Sequence, residues 1–365
     1  MNIIKFENFI RESNASSLKY MSFDWDDNIL HMGTLIHMQK RSNDNWINED
    51  VSTSKFATVR NDKVNWRLLN NSPDDAFSEF RDGGPRGKFA FIEDTKNAIK
   101  EKKFAPSWAA FIDCLTKGSI FSIITARGHH PETLRKGVEY IINNVLDKDQ
   151  KYLMYNNCLL HSYIFDKKDF DRIPKNEIIT DTPLIREYLS NCDFYGVSSP
   201  EFLKEFNAGD AANPEEAKKM ALDKFINKCS RFGNSVGAKS VSVSFSDDDS
   251  KNISHVQKFF KEKSALSTTL PHNLKLNVFD TSDRTISGGK KSDFDSRLES
   301  NQSNQSAGMA SSVLPFTQFT HDMSNQSAFS NRDNVSSTLA NKQIQKMTKE
   351  IFKGKRRKKK KVIKK

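Results

Sequence analysis

The sequence predicts an α/β fold: a parallel sheet with helices on both faces, interrupted by inserted segments and followed by a disordered carboxyl-terminal tail. Five short segments rich in β-branched and aromatic residues predict the sheet, and the helical patterns between them predict its parallel order. An abrupt change of composition after about residue 285 predicts the tail.

The strand segments are LKYMSF (18–23), SIFSIIT (119–125), DFYGVS (193–198), SVSVSF (240–245) and KLNVFD (275–280). Two intervening helices are legible in detail. PETLRKGVEYIINNVL (131–146) repeats Leu134, Val138, Ile141 and Val145 on one face, with Pro131 suited to a first turn. NPEEAKKMALDKFINKC (213–229) has Asn213 as N-cap, Pro214 behind it, Glu216 at the third helical position, and an apolar face of Leu222, Phe225, Ile226 and Cys229.

Residues 1–17 form an amino-terminal extension, and residues 18–284 form the predicted domain. Within it, residues 31–88 and 148–190 are polar, turn-rich and too long for tight loops, so they read as inserts. Trp46, Phe56, Trp66 and Phe80 supply the first insert with enough aromatic mass for a small core of its own.

Residues 285–337 read as a disordered linker, since residues 301–340 hold eighteen Ser, Asn or Gln and too little apolar surface to order them. Residues 338–365 read as a short helix, with Ile344, Met347 and Ile351 on one side, followed by a basic run. That run, Lys353 to Lys365, carries ten of the 57 Lys and Arg; without it 47 basic residues face 46 acidic ones. The chain's basicity therefore belongs to its tail, which can contact nucleic acid non-specifically by counterion release; no aromatic interleaves with the lysines to suggest base stacking.

The four cysteines lie far apart with no metal-ligand spacing, as in a reducing, cytoplasmic compartment. No apolar run reaches the ~18 residues of a membrane span, and the amino terminus lacks a signal-peptide core.

Three predicted strands end in chemically capable residues: Asp24-Trp25-Asp26, Thr125 before Ala126-Arg127, and Ser246-Asp247-Asp248-Asp249. Parallel sheets bind ligands at their strands' carboxyl ends, so these segments converge. Carboxylates this dense oppose folding unless a cation, a shared proton or phosphate chemistry compensates them.

YMSFDWDDNIL resembles the first motif of the haloacid-dehalogenase-like (HAD) superfamily, SIFSIITARG its second and VSVSFSDDD its acidic fourth, in the family's order. KKMAL (218–222) is similar to the lysine-containing third motif; Lys218 lies about 30° from the centre of the apolar helix face and Lys219 about 70°, which favours Lys218. FDWDDNILHM, STSKFATVR and FRDGGPRG are similar to HAD hydrolases of large tailed bacteriophages. Two positions depart from the family pattern: Asn28 stands where Thr or Val is commoner, and Ser246 where Gly is frequent.

The resemblance implies a Rossmann-like HAD core with cap-type inserts and a Mg2+-dependent phosphatase. Asp24 would be the nucleophile, forming an aspartyl-phosphate, and Asp26 the acid/base. Thr125 and Lys218 would hold the phosphate, while Asp24, the Asp26 main-chain carbonyl, Asp247 and Asp248 would hold the metal. The substrate would be a phosphorylated small molecule or a nucleic-acid end. A non-catalytic nucleic-acid-binding or virion-associated protein of the same fold is the rival. Arg127, His129, His130, Arg60, Arg81 and Arg86 are further candidates for substrate contact.

Overall fold

Tyr20 and Phe23 stand on opposite faces of the first strand, and each meets a helix. Tyr20 packs edge-on against Phe225 and Phe23 against Phe111, with ring centroids 6.4 and 5.4 Å apart. That is how a central strand of a two-sided α/β layer is buried. The computed structural model describes residues 17–160, 182–207, 213–235, 237–266 and 273–295.

Among the described residues the strands are β1 (Leu18–Phe23), β2 (Ile36–Ser42), β3 (Asn45–Val51), β4 (Trp66–Leu68), β5 (Phe121–Thr125), β6 (Asp193–Gly196), β7 (Ser240–Asp247), β8 (Asn273–Asp280) and β9 (Lys290–Asp295). The helices are α1 (Thr53–Val59), α2 (Pro73–Ala76), α3 (Ala90–Lys100), α4 (Trp108–Thr116), α5 (Pro131–Asn144), α6 (Lys148–Leu160), α7 (Thr182–Ser190), α8 (Pro200–Glu205), α9 (Pro214–Ser235) and α10 (Ser250–Leu266). Six strands form one sheet in the order β6-β5-β1-β7-β8-β9. All its neighbours pair in parallel except β8 and β9.

All five predicted strands are in this sheet. Because β1 lies between β5 and β7, the chain builds outward on one side of β1 and then on the other, which opens a crevice at the three carboxyl ends. Phe225 lies on α9 and Phe111 on α4, so these helices cover opposite faces. No helix among the described residues is long and apolar enough to cross a membrane.

The first predicted insert contains a three-stranded antiparallel sheet, β3-β2-β4, with a separate core of Ile36, Met38, Val51, Val59, Trp66, Ala76 and Phe80, against which Phe56 packs. Trp46 does not join that core. Alternation along β3 turns it away from the face of Val51, and the Arg67 guanidinium stacks 4.3 Å from its ring.

The second predicted insert differs more. Met154 and Cys158 of α6 and Ile185, Tyr188 and Leu189 of α7 belong to the main core, so its flanks are part of the α/β body. Residues 161–181 lie outside the described residues, as do the expected amino-terminal extension up to residue 16, the linker beyond 295, the short helix and the basic run.

The predicted linker also starts too early. Residues 290–295 form β9, paired antiparallel with β8 from Lys275↔Asp295 to Asp280↔Lys290. An edge strand buries little, so KKSDFD carries no apolar signature in the sequence.

Candidate active site

Asp24 follows β1 directly, and its N–H donates to the Ser246 carbonyl at 2.9 Å, continuing the β1–β7 ladder past the last strand residue. Asp247 ends β7 and Thr125 ends β5, so three strand ends bring these residues to one rim. Thr125 is buried, with its Oγ1 accepting from the Arg127 N–H at 3.4 Å.

Lys218 reaches this rim from the first turns of α9. Its Nζ lies 2.7 Å from Asp247 Oδ2 and 3.0 Å from Asp24 Oδ1, and the residue is 2% exposed. The helix-face argument therefore selected the lysine that enters the site; Lys219 lies outside and pairs with Glu216 at 2.9 Å. Asn252 donates to both oxygens of Asp247 at 3.1 Å.

Asp24, Asp247 and Asp248 can each present a carboxylate oxygen within 4.8 Å of the others, an arrangement that could hold a hard cation. One lysine does not balance them. Burial, then repulsion from Asp247 and Asp26, pushes the Asp24 carboxyl up to about 8 although Lys218 opposes the shift. Burial and the charges of Asp247, Asp24 and Asp27 raise Asp248 as well. Burial works against the Lys218 ammonium, yet Asp24 and Asp247 hold its proton and raise it above the usual lysine range.

The neighbouring aspartates have partners of their own. Asp27, in the left-handed region at φ 54°, accepts from His31 Nδ1 at 2.5 Å and Thr53 Oγ1 at 2.6 Å. Asp249 takes both terminal nitrogens of Arg60, at 2.7 and 3.0 Å. Asp248 alone of the six has no side-chain partner among the described residues.

Asp26 is held by Arg127. The guanidinium donates from Nε to Oδ2 at 2.7 Å and from Nη2 to Oδ1 at 2.6 Å, a two-point pair on an arginine only 1% exposed. The rings of Phe80 and Phe91 lie 4.6 and 5.3 Å from the guanidinium carbon. The sequence offered Arg127 only as a candidate for substrate contact after a strand; its carboxylate partner is 101 residues away.

The other candidate contacts resolve differently. His129 is buried against Phe91, and burial, with the Arg127 charge second, pushes its pKa down to about 2, so it is neutral. His130 accepts from the Glu132 N–H at the start of α5. Arg81 pairs with Asp74, and Arg86 pairs with Asp94 and Glu79.

The first predicted insert meets the loops of this rim at several points. Besides Thr53 and Arg60, it supplies the Phe80 carbonyl, which accepts from the Gly128 N–H at 2.9 Å, and Asp82, which accepts from the His130 N–H at 2.8 Å. No protein-family model, curated protein or solved structure matches the chain.

Proposed function

We propose that the protein is a Mg2+-dependent phosphoester hydrolase of HAD type, acting through an aspartyl-phosphate on Asp24, with the β2–β4 module as its cap. The observation that carries this reading is the charge balance at the strand ends. Asp24, Asp247 and Asp248 lie together with one buried lysine, and Asp248 has no side-chain partner among the described residues. Carboxylates this close, two of them buried, oppose folding, and a divalent cation removes the deficit. The donor set fits: the three carboxylates and the Asp26 main-chain carbonyl are hard oxygen ligands suited to Mg2+. When bound, Mg2+ would neutralise charge on a phosphoryl group.

The chain's own residues supply the remaining steps. A carboxylate oxygen of Asp24 attacks phosphorus, and the bond to the leaving oxygen breaks. Asp26 gives that oxygen its proton, then takes one from the water that attacks the phosphoryl-aspartate, so that inorganic phosphate leaves and Asp24 is regenerated. Lys218 holds negative charge on the transferring group, and the Thr125 hydroxyl offers a hydrogen bond to one of its oxygens. Both oxygens of Asp26 are engaged by Arg127, so proton transfer requires at least one of them to turn toward the substrate.

Turnover of p-nitrophenyl phosphate with Mg2+, abolished by EDTA and by Asp24→Asn, is the expected result. Equal turnover by the Asn variant would sink the nucleophile assignment, and no turnover of any phosphoester would favour a non-catalytic binding protein. The basic run Lys353 to Lys365 supports a second substrate class, phosphorylated nucleic-acid ends. Comparing 3'- and 5'-phosphorylated oligonucleotides with small phosphate esters decides between the two.

A further inference from the structure

Asp26 stands at one end of a run of hydrogen-bonded side chains that leads through Arg127 to Thr34, Asp94 and Arg86. Arg127 Nη2, besides meeting Asp26, donates to Thr34 Oγ1 at 2.8 Å. Thr34 Oγ1 donates in turn to Asp94 Oδ2 at 2.6 Å. Asp94 is gripped from its far side by Arg86, with Nη1 on Oδ2 at 2.9 Å and Nη2 on Oδ1 at 2.6 Å. Thr34, Asp94 and Arg127 are all buried.

The direction of these bonds is fixed by chemistry. A carboxylate only accepts and a guanidinium only donates, so the single hydroxyl proton of Thr34 goes to Asp94 and a lone pair faces Arg127. The rings of Phe80 and Phe91 limit the tilt of the guanidinium but not its rotation within its own plane. Apart from Asp26, Thr34 is the only side chain among the described residues that accepts from that guanidinium. The remaining nitrogen, Nη1, is buried and has no partner among the described residues.

We infer that Thr34 is a positioning residue for Asp26: its hydroxyl fixes the rotation of the Arg127 guanidinium, and the guanidinium fixes the carboxylate that handles the proton. This rests on the reading of Asp26 as the acid/base. Thr34 precedes β2 at one root of the cap, while Asp94 lies on α3 just beyond the other, so the relay also ties the acid/base group to the seating of the cap.

The test compares wild type, Thr34→Val, Thr34→Ser, Asp26→Asn and the Thr34→Val/Asp26→Asn double variant on p-nitrophenyl phosphate and on a simple alkyl phosphate. Valine keeps the volume and loses both bonds; serine keeps both bonds. Thr34→Val is expected to lower kcat on the alkyl phosphate by roughly 10- to 100-fold, the scale of a lost hydrogen bond to a charged group, with KM unchanged. The loss should be much smaller on the nitrophenyl ester, whose leaving group needs little proton donation. Serine should restore the rate, and valine should add nothing once Asp26 is Asn.

Equal losses on both esters, or a full loss persisting beside Asp26→Asn, would show that Thr34 only packs. If Asp26→Asn itself shows no leaving-group bias, the acid/base reading falls and takes the inference with it. A readout free of turnover is the Arg127 Nε–H resonance, identified by its loss in Arg127→Lys. It should shift and exchange faster in Thr34→Val but not in Thr34→Ser; an unchanged signal in Thr34→Val overturns the inference whatever the kinetics show.

Discussion

Asn28 Nδ2 donates to Ser246 Oγ at 2.9 Å and to the Ser246 carbonyl at 3.1 Å. These are the two residues that depart from the HAD-like pattern, and they are each other's partners. The same amide nitrogen lies 3.0 Å from the Asp24 carbonyl, while the amide oxygen accepts from Ser107 and Thr281 at 2.8 and 2.9 Å. Asn28 thereby cross-links the segments that carry Asp24 and Asp247.

Asn28→Val is expected to lower unfolding stability by roughly 2–4 kcal/mol, because several buried groups lose a partner together. Ser246→Gly should cost about 1 kcal/mol. If the two act as a pair, the double variant is less destabilised than the sum of the singles. Strict additivity in urea melts would mean that each serves a separate role.

Asp24→Asn should leave the fold intact and stabilise the metal-free protein. The folded pKa of Asp24 lies at about 8, above its unfolded value of 3.8, so the folded state binds the extra proton. Stability from this group is therefore largest at low pH and falls as pH rises from about 4 to about 8. Lys218, Asp247 and Asp26 are the charges acting on it. In EDTA the melting temperature of wild type should decline across that window more steeply than that of the variant, and Mg2+ should flatten the wild-type curve. Parallel curves would show that Asp24 is not the uncompensated charge.

Arg60→Ala removes the two-point tie between α1 and Asp249. Amides of residues 53–59 should then exchange faster, while those of β1 and β7 keep their protection. Uniform protection in the variant would mean that Thr53, Phe80 and Asp82 seat the β2–β4 module without Arg60.

Removing residues 296–365 should leave turnover of a small phosphoester unchanged and abolish salt-sensitive binding to DNA or RNA. With six to ten phosphate contacts, full-length binding would fall by roughly 10³- to 10⁵-fold between 50 and 200 mM salt. Anisotropy titrations of both proteins over that range check it, and equal salt slopes would place the contact elsewhere.

Much of this site was legible because it is written at strand ends. An apolar run that stops at a carboxylate or a hydroxyl marks the carboxyl edge of a sheet, and three such runs locate Asp24, Thr125 and Asp247 without coordinates. Helical angle then separates Lys218 from Lys219. What stayed hidden depends on contacts between distant segments. Nothing in the sequence around Thr34 marks it as a link between Asp94 and Arg127, and nothing near Arg60, Arg81 or Arg86 says that each is already paired with a carboxylate. The fate of Trp46 turned on strand register, which a one-residue slip would reverse.

The polar edge strand β9 sets how the molecule can be cut. Leu274, Leu276 and Val278 of β8 are fully buried, and without β9 their strand would lie at the margin of the sheet with a row of unpaired amides and carbonyls. β9 occupies that margin and presents Lys290, Lys291 and Asp293, charges that discourage another chain from adding a strand. Composition and charge suggest trimming the chain at residue 285, yet that cut would strip β9 and leave a sticky apolar-backed template. Clumping of such a fragment would then be mistaken for a solubilising role of the basic tail, whereas a cut after residue 295 keeps the two effects apart.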